Sequence, residues 1–320
     1  MKHLPIKSES LEYVIYSFKE WLDIQGYAIV TVNAFPNQLR EFFHHLEVNH
    51  NIQQVQQLKV EHFKSYYEKL KMRSNTRQGG ALSNAYLNKH IDGLMKFAQY
   101  LRKSARVELP YIELDRNERN SRVPEIVSIE EIKAILVAAD QHPNPAISNA
   151  SSRIYEAIAS RDKALLTVLY GCGLRRNECY NLDVSDINLD RQVLHVRKGK
   201  NYKERFVPFN KPSAEILQTY IYDYRPIFNK SNELSALFVS AKGFRMGYLN
   251  TSLRLKILID RTEIIELKQK NVTLHTLRHS IATHLLQAGM PLEKISRFLG
   301  HTSLESTQIY THLAEQMANR

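Results

Sequence analysis

The strongest constraint on what this chain can fold into is a three-and-four spacing of apolar residues that returns four times in its first hundred positions. Leu11, Val14, Ile15, Phe18, Trp21 and Leu22 recur at that interval between Ser8 and about Gln25, which places them on one face of an α-helix. The same spacing appears in Phe35, Leu39, Phe42, Phe43 and Leu46, then in Val60, Phe63, Tyr67 and Leu70, and again in Leu87, Ile91, Leu94, Phe97 and Leu101. Each stripe must be buried against another element, so four such helices predict a small bundle over residues 1–103.

The pattern lapses after Ser104, where Pro110, Pro124 and the polar run Asp115-Arg116-Asn117-Glu118-Arg119-Asn120-Ser121-Arg122 predict a linker over 104–123. Its basic residues suit either a phosphate backbone or plain solvation. A second domain, 124–320, opens with Ser128-Ile129-Glu130-Glu131, a capping box in which Ser128 and Glu131 satisfy each other's backbone N–H groups. Helical spacing then runs through Ala164 to Leu169 and stops at Gly171 and Gly173, residues that tolerate the left-handed backbone ending a helix. Val193 to Val196 and Arg205 to Phe209 read as strands flanking a polar turn, and Leu237 to Ser240 as a third. Helices are expected again at Pro212 to Tyr224, Gly247 to Leu258, Leu274 to Ala288, Leu292 to Leu299 and Ser303 to Ala314. The fold class is therefore mainly α with a small antiparallel β-sheet in the second domain.

Composition narrows the function. Lys and Arg number 44 against 33 Asp and Glu, a net charge of +11, which suits a polyanionic partner or a solvated basic face. A hydrophobic fraction of 43% is enough for real cores. The longest apolar run, Ala134 to Ala139, is far too short to span a membrane. Met1-Lys2-His3-Leu4-Pro5 leads into no apolar run, so a cytoplasmic location is expected. Cys172 and Cys179 make neither a disulfide framework nor a paired zinc motif, and reduced thiols fit the same compartment.

Several segments carry candidate chemistry. His275 and Arg278, three apart on one helix, share a face and could clamp an anion. His275 and His279 have zinc-helix spacing, but Thr276, Leu277 and Arg278 between them lack the glutamate of a metallohydrolase, so no metal is expected. Arg175 and Arg176 follow a Gly171-Cys172-Gly173-Leu174 turn into a helix, where donors face a bound phosphate. Arg197, Lys198, Lys200, Lys203 and Arg205 crowd the turn between the two strands, either to enter a groove or to keep a hairpin tip soluble. Gly300-His301 and Tyr310 complete the set.

In this order, Gly173-Leu174-Arg175, Lys200, His275-Thr276-Leu277-Arg278, Gly300-His301 and Tyr310 resemble the signature of the tyrosine recombinase and integrase family, Xer-like and phage or transposon integrases included. His301 lies 23 residues after Arg278 and Tyr310 nine after His301, spacings similar to the family's. The resemblance covers residues 124–320, with Leu277 to Leu286 and Leu299 to Thr302 its clearest blocks, and touches the first hundred residues only as a helical bundle. It implies an N-terminal core-binding, SAM-like domain and a C-terminal mixed α+β catalytic domain that together clamp duplex DNA. It implies site-specific cleavage and rejoining of DNA through a 3′-phosphotyrosyl intermediate and a Holliday junction, without metal or nucleotide cofactor. Expected partners are specific DNA core sites, a homo- or heterotetramer assembled on them, and accessory DNA-bending proteins. A silent DNA-binding protein on the same fold, or a type IB topoisomerase, are the competing readings.

By the same resemblance Tyr310 is the nucleophile, Arg175 and Arg278 brace the phosphate, His301 adds a donor, and Lys200 is the general acid with Lys198 as the alternative. His275 is expected to assist proton transfer at the tyrosine, and Glu178 to orient Arg175 or a neighbouring histidine. The sequence departs from the family in three places. Asn201-Tyr202 lengthens the hairpin by one residue, Asn177 stands where Ser is common, and ten residues follow Tyr310, including Leu313 and Met317.

Overall fold

The computed structural model describes residues 4–76, 79–104, 107, 109–118, 125–141, 149–197, 204–229, 233–301, 307, 308, 310 and 311. The chain divides into two compact units, Met1–Arg122 and Val123–Arg320.

In the first unit the four apolar stripes become α1 (Glu9–Ile24), α2 (Ile29–His50), α3 (Val60–Met72) and α4 (Asn84–Lys103). Ser8 and Ser83 cap α1 and α4, each accepting from a backbone N–H three residues on, which supplies a partner for an otherwise orphaned donor. Phe18, Phe42, Phe43, Phe63 and Phe97 fill the centre of the bundle, and the Phe18–Phe97 and Phe43–Phe97 rings meet edge to face, the arrangement their quadrupoles favour. The segment expected to be a linker is fastened to this bundle where it is described. Leu109 and Ile112 are buried in the bundle's core. Asn88 and Asn117 exchange side chain and backbone at 2.8 and 2.9 Å. Burying these two apolar residues removes enough surface from water to hold the segment down.

The second unit begins with α5 (Ile129–Ala138), whose capping box is complete: Glu131 N–H donates to Ser128 Oγ at 3.1 Å and Ser128 N–H to Glu131 Oε2 at 2.7 Å. The Glu131 carboxylate also receives Lys270 Nζ at 2.6 Å. α6 (Asn149–Leu166) runs into a π-turn, Thr167–Gly171, and α7 (Arg176–Asn181) follows. The sheet holds β1 (Ile187–Asn188), β2 (Val193–Val196) and β3 (Arg205–Pro208), antiparallel in that order, with Leu194 opposite Val207 and His195 opposite Phe206. The rest of the unit is α8 (Lys211–Thr219), α9 (Arg225–Phe228), α10 (Tyr248–Arg261), α11 (Ile265–Gln269), α12 (Leu274–Gln287) and α13 (Leu292–Leu299). Tyr310 lies on a helical turn with Thr311; the remainder of the helix expected from Ser303 to Ala314, Thr307 and Gln308 apart, lies outside the described residues. Among the described residues no helix is long and apolar enough to cross a membrane.

One strand is misplaced by the sequence reading. Leu237 to Ser240 makes only the isolated bridge Val239↔Arg245, next to Asp183↔Ala236, and the third strand is Ile187–Asn188. Main-chain bonds there are scattered, Leu237 N–H to the Leu182 carbonyl, Met246 N–H to that of Phe238 and Ser240 N–H to that of Phe244, and side chains meet other carbonyls. Tyr220 hydroxyl donates to the Leu237 carbonyl, Arg225 to that of Ala236 and Arg161 to that of Val239, at 3.0, 3.0 and 2.9 Å. The continuous apolar run reported burial correctly but could not show which groups satisfy the backbone.

Candidate active site

Three arginines converge on the C-terminal end of α13. Arg205 Nε donates to the Phe298 carbonyl at 2.9 Å, Arg278 Nη2 to that of Leu299 at 2.7 Å, and Arg175 Nη2 to that of Gly300 at 3.3 Å. The last carbonyls of a helix have no partner within it and carry its partial negative charge, so cations are favoured there. Arg278 also donates to the Gly173 carbonyl at 2.6 Å, tying α12 to the turn before α7.

Glu178 organises the cluster from below. Its carboxylate accepts from Arg205 at 3.0 and 2.9 Å as a two-pronged pair, from the Arg175 guanidinium at 3.0 Å and from the Arg175 backbone N–H at 2.8 Å. Arg278 comes within 3.9 Å of it. Burial alone would push the carboxyl up, but the Arg205 bonds and charge and the Arg175 N–H outweigh it and hold Glu178 below its ordinary range. Three guanidiniums around one carboxylate leave two positive charges in excess. Burial, and then the charge of Arg175, pull Arg278 down to about 9, still protonated at neutral pH; the site is built to receive an anion.

Tyr310 faces this cluster from an apolar bed of Ala282, Ile295 and Leu299. Its ring is only 1% exposed, and Arg278 and Arg175 are close enough to oppose the upward push of burial on its phenol. Its hydroxyl lies 3.2 Å from His279 Nδ1. His301 stacks on the ring at 6.2 Å and 18°, while its Nδ1 meets Thr307 Oγ1 at 2.8 Å. Burial first, then neighbouring positive charge, pushes His301 down to about 4, so it is neutral at pH 7. His275, an exposed residue in the otherwise buried first turn of α12, is within electrostatic reach of Arg278 and Arg175. The structure thus brings Arg175, His275, Arg278, His301 and Tyr310 together. Lys200 and its alternative Lys198, with Asn201 and Tyr202, lie outside the described residues, as do Leu313 and Met317.

Residues 130–317 match the model of the phage integrase family. The chain belongs to that family. It is 30% identical to the tyrosine recombinase XerC of Oceanobacillus iheyensis over 95% of this chain and 93% of the relative. It is 34% identical to XerD of Pseudomonas putida over 70% of each. Among solved structures, the XerH site-specific recombinase in its pre-cleavage complex with difH substrate aligns with a TM-score of 0.68 at 18% identity, over 100% of this chain and 99% of that one. The Tn1549 transposon integrase in complex with transposon right end DNA aligns at 0.62 and 16%, over 95% and 98%. At such identities the last two speak for the fold. The protein is a tyrosine recombinase, of the enzyme class that carries out site-specific recombination by cleaving and rejoining DNA.

Two residues in this recombinase's cluster escaped the sequence reading. Arg205 was visible only as one cation of a basic turn, yet it shares a strand face with buried Val207 and Phe209 while Phe206 points out. A charge at an inward position of an alternating strand is the signal that marks it. His279 counted only toward a zinc spacing; nothing linear links it to Tyr310, 31 residues on.

Gly300 makes the close approach possible. It has φ +66°, and a Cβ there would sit 2.8 Å from Arg205 Nη1. Gly300→Ala therefore carries the left-handed backbone cost of roughly 1–2 kcal/mol and also displaces Arg205. The melting temperature is expected to fall by roughly 2–8 °C in a thermal scan, with slower DNA cleavage.

Proposed function

We propose that this recombinase binds duplex DNA at specific core sites and cleaves it with Tyr310, held by Arg175, Arg278, His275 and His301 on the scissile phosphate. The observation that carries the reading is the phenol set in an apolar bed beside a cluster with two uncompensated positive charges. The Tyr310 oxygen attacks phosphorus, the P–O5′ bond breaks, and the bond energy is kept as a 3′-phosphotyrosyl ester that a 5′-hydroxyl can reverse. Charge developing on the non-bridging oxygens falls to Arg175 and Arg278, whose planar forks are already fixed by backbone carbonyls and need no reorganisation during the step. His301, neutral and stacked on the nucleophile, adds a donor. Lys200 is assigned as general acid to the leaving O5′, with Lys198 as its alternative. Strand exchange then runs through a Holliday junction in a tetramer assembled on two sites, with DNA-bending partners where the sites require them.

The test is to incubate the purified protein with sheared DNA of its source, denature, capture the protein and sequence what stays attached. Adducts clustered at one sequence are the expected result and give the core site directly. Retained DNA binding with no adduct on any fragment overturns the reading in favour of a silent binder.

A further inference from the structure

We propose that His279 is the base that takes the phenolic proton of Tyr310 during cleavage and returns it during rejoining, a reading that rests on Tyr310 as the nucleophile. Among the described residues, His279 Nδ1 is the side-chain atom hydrogen-bonded to the Tyr310 hydroxyl, at 3.2 Å, with the rings 5.6 Å apart. That distance is at the outer limit for a proton acceptor before substrate is bound, and such bonds tighten in the complex. The other histidines are placed for different work. His301 presents its ring face to Tyr310 and engages Nδ1 with Thr307. His275 sits one helical turn before His279 with its ring 6.4 Å away, on the exposed side. The role expected for His275 at the tyrosine thus passes to the histidine four residues on, and His275 is left facing the phosphate.

The acceptor must be neutral before the step. Burial, followed by the charges of His275 and Arg278, pushes His279 down to about 4, so its lone pair is available throughout the neutral range. In the Nε2–H tautomer that lone pair is on Nδ1, toward the hydroxyl. As the Tyr310 oxygen bonds to phosphorus, the O–H proton passes to Nδ1 and the P–O5′ pair leaves to take its proton from the general acid. The imidazolium so formed would be unstable beside Arg278 alone, but the incoming phosphate brings negative charge to the same place. In the reverse step O5′ attacks phosphorus and the Tyr310 oxygen recovers its proton from Nδ1, as microscopic reversibility demands.

The experiment measures single-turnover adduct formation on a nicked core-site duplex that traps the covalent intermediate. His279→Asn keeps an acceptor near the Nδ1 position but cannot take a proton; it is expected to bind DNA with unchanged affinity and cleave roughly 10²- to 10⁴-fold more slowly. His279→Ala opens space for a diffusible base. Imidazole and methylated imidazoles should restore its rate, the more basic ones faster, a dependence that mere loss of packing does not produce. Cleavage by His279→Asn at the parent rate overturns the proposal. So does a folded, DNA-binding His279→Ala that no imidazole rescues. Adduct formation surviving in Tyr310→Phe would instead bring down the nucleophile assignment, so the two failures are told apart.

Discussion

Tyr310→Phe is expected to leave the protein folded and bound to DNA while lowering covalent adduct formation by at least about 10⁴-fold, to the background of the assay. The separation of stability from chemistry follows from the packing. The ring is buried among Ala282, Ile295 and Leu299, and phenylalanine fills the same space. What is lost is the hydroxyl and its bond to His279, worth about 1 kcal/mol. The thermal transition should therefore move by only a few degrees, and a gel-shift titration should superimpose on the parent's. Denaturing electrophoresis of the protein with labelled core-site DNA reads the other half: a shifted band for the parent, none for Tyr310→Phe. A persisting band would mean that another residue attacks the phosphate.

Glu178→Ala should produce the largest loss of stability. The carboxylate is buried beneath Arg205 and Arg175, with its side chain 2% exposed and that of Arg205 7%. Without it, Arg205 is left as an uncompensated buried charge, and breaking such a pair typically costs about 3–5 kcal/mol. For a unit of this size that is a fall of roughly 10 °C in melting temperature. Because the two side chains act as one unit, the double variant Glu178→Gln with Arg205→Gln should lose less than the sum of the single changes. Additive losses would show that the pair is not coupled. The same bonds set an acid limit. Glu178 is held below its ordinary value of 4.5, so its contribution is fully present above that pH and lost as pH falls through the lower folded-state value. Glu178→Gln should flatten the acid limb of a stability–pH curve and leave stability independent of this group above about pH 5.

How much of this was legible beforehand depended on how local the physics was. Helices α1 to α4, the Ser128–Glu131 capping box and the Val193–Val196 strand were all read from residues within one turn or one strand of each other, where spacing alone decides which side chains share a face. The order of Arg175, Lys200, His275, Arg278, His301 and Tyr310 carried the resemblance to the family. Linear order cannot say which side chains touch. Leu237 to Ser240 reads as a strand because it is an apolar run, yet distant Tyr220 and Arg161 meet its Leu237 and Val239 carbonyls.

The sequence by itself therefore determined the two-part helical architecture and the basic character, since these follow from composition and short-range spacing, whereas the residues proposed to attack and brace a phosphate came from the resemblance to the family. Only the tertiary structure decided how those residues are held. The α13 C-terminus gathers Arg175, Arg205 and Arg278 through its unpaired carbonyls, Glu178 fixes two of them, and His279 rather than His275 meets the Tyr310 hydroxyl. Each of these is a contact between groups far apart in the chain, set by the packing of whole helices and the burial of charge, and no local pattern encodes it.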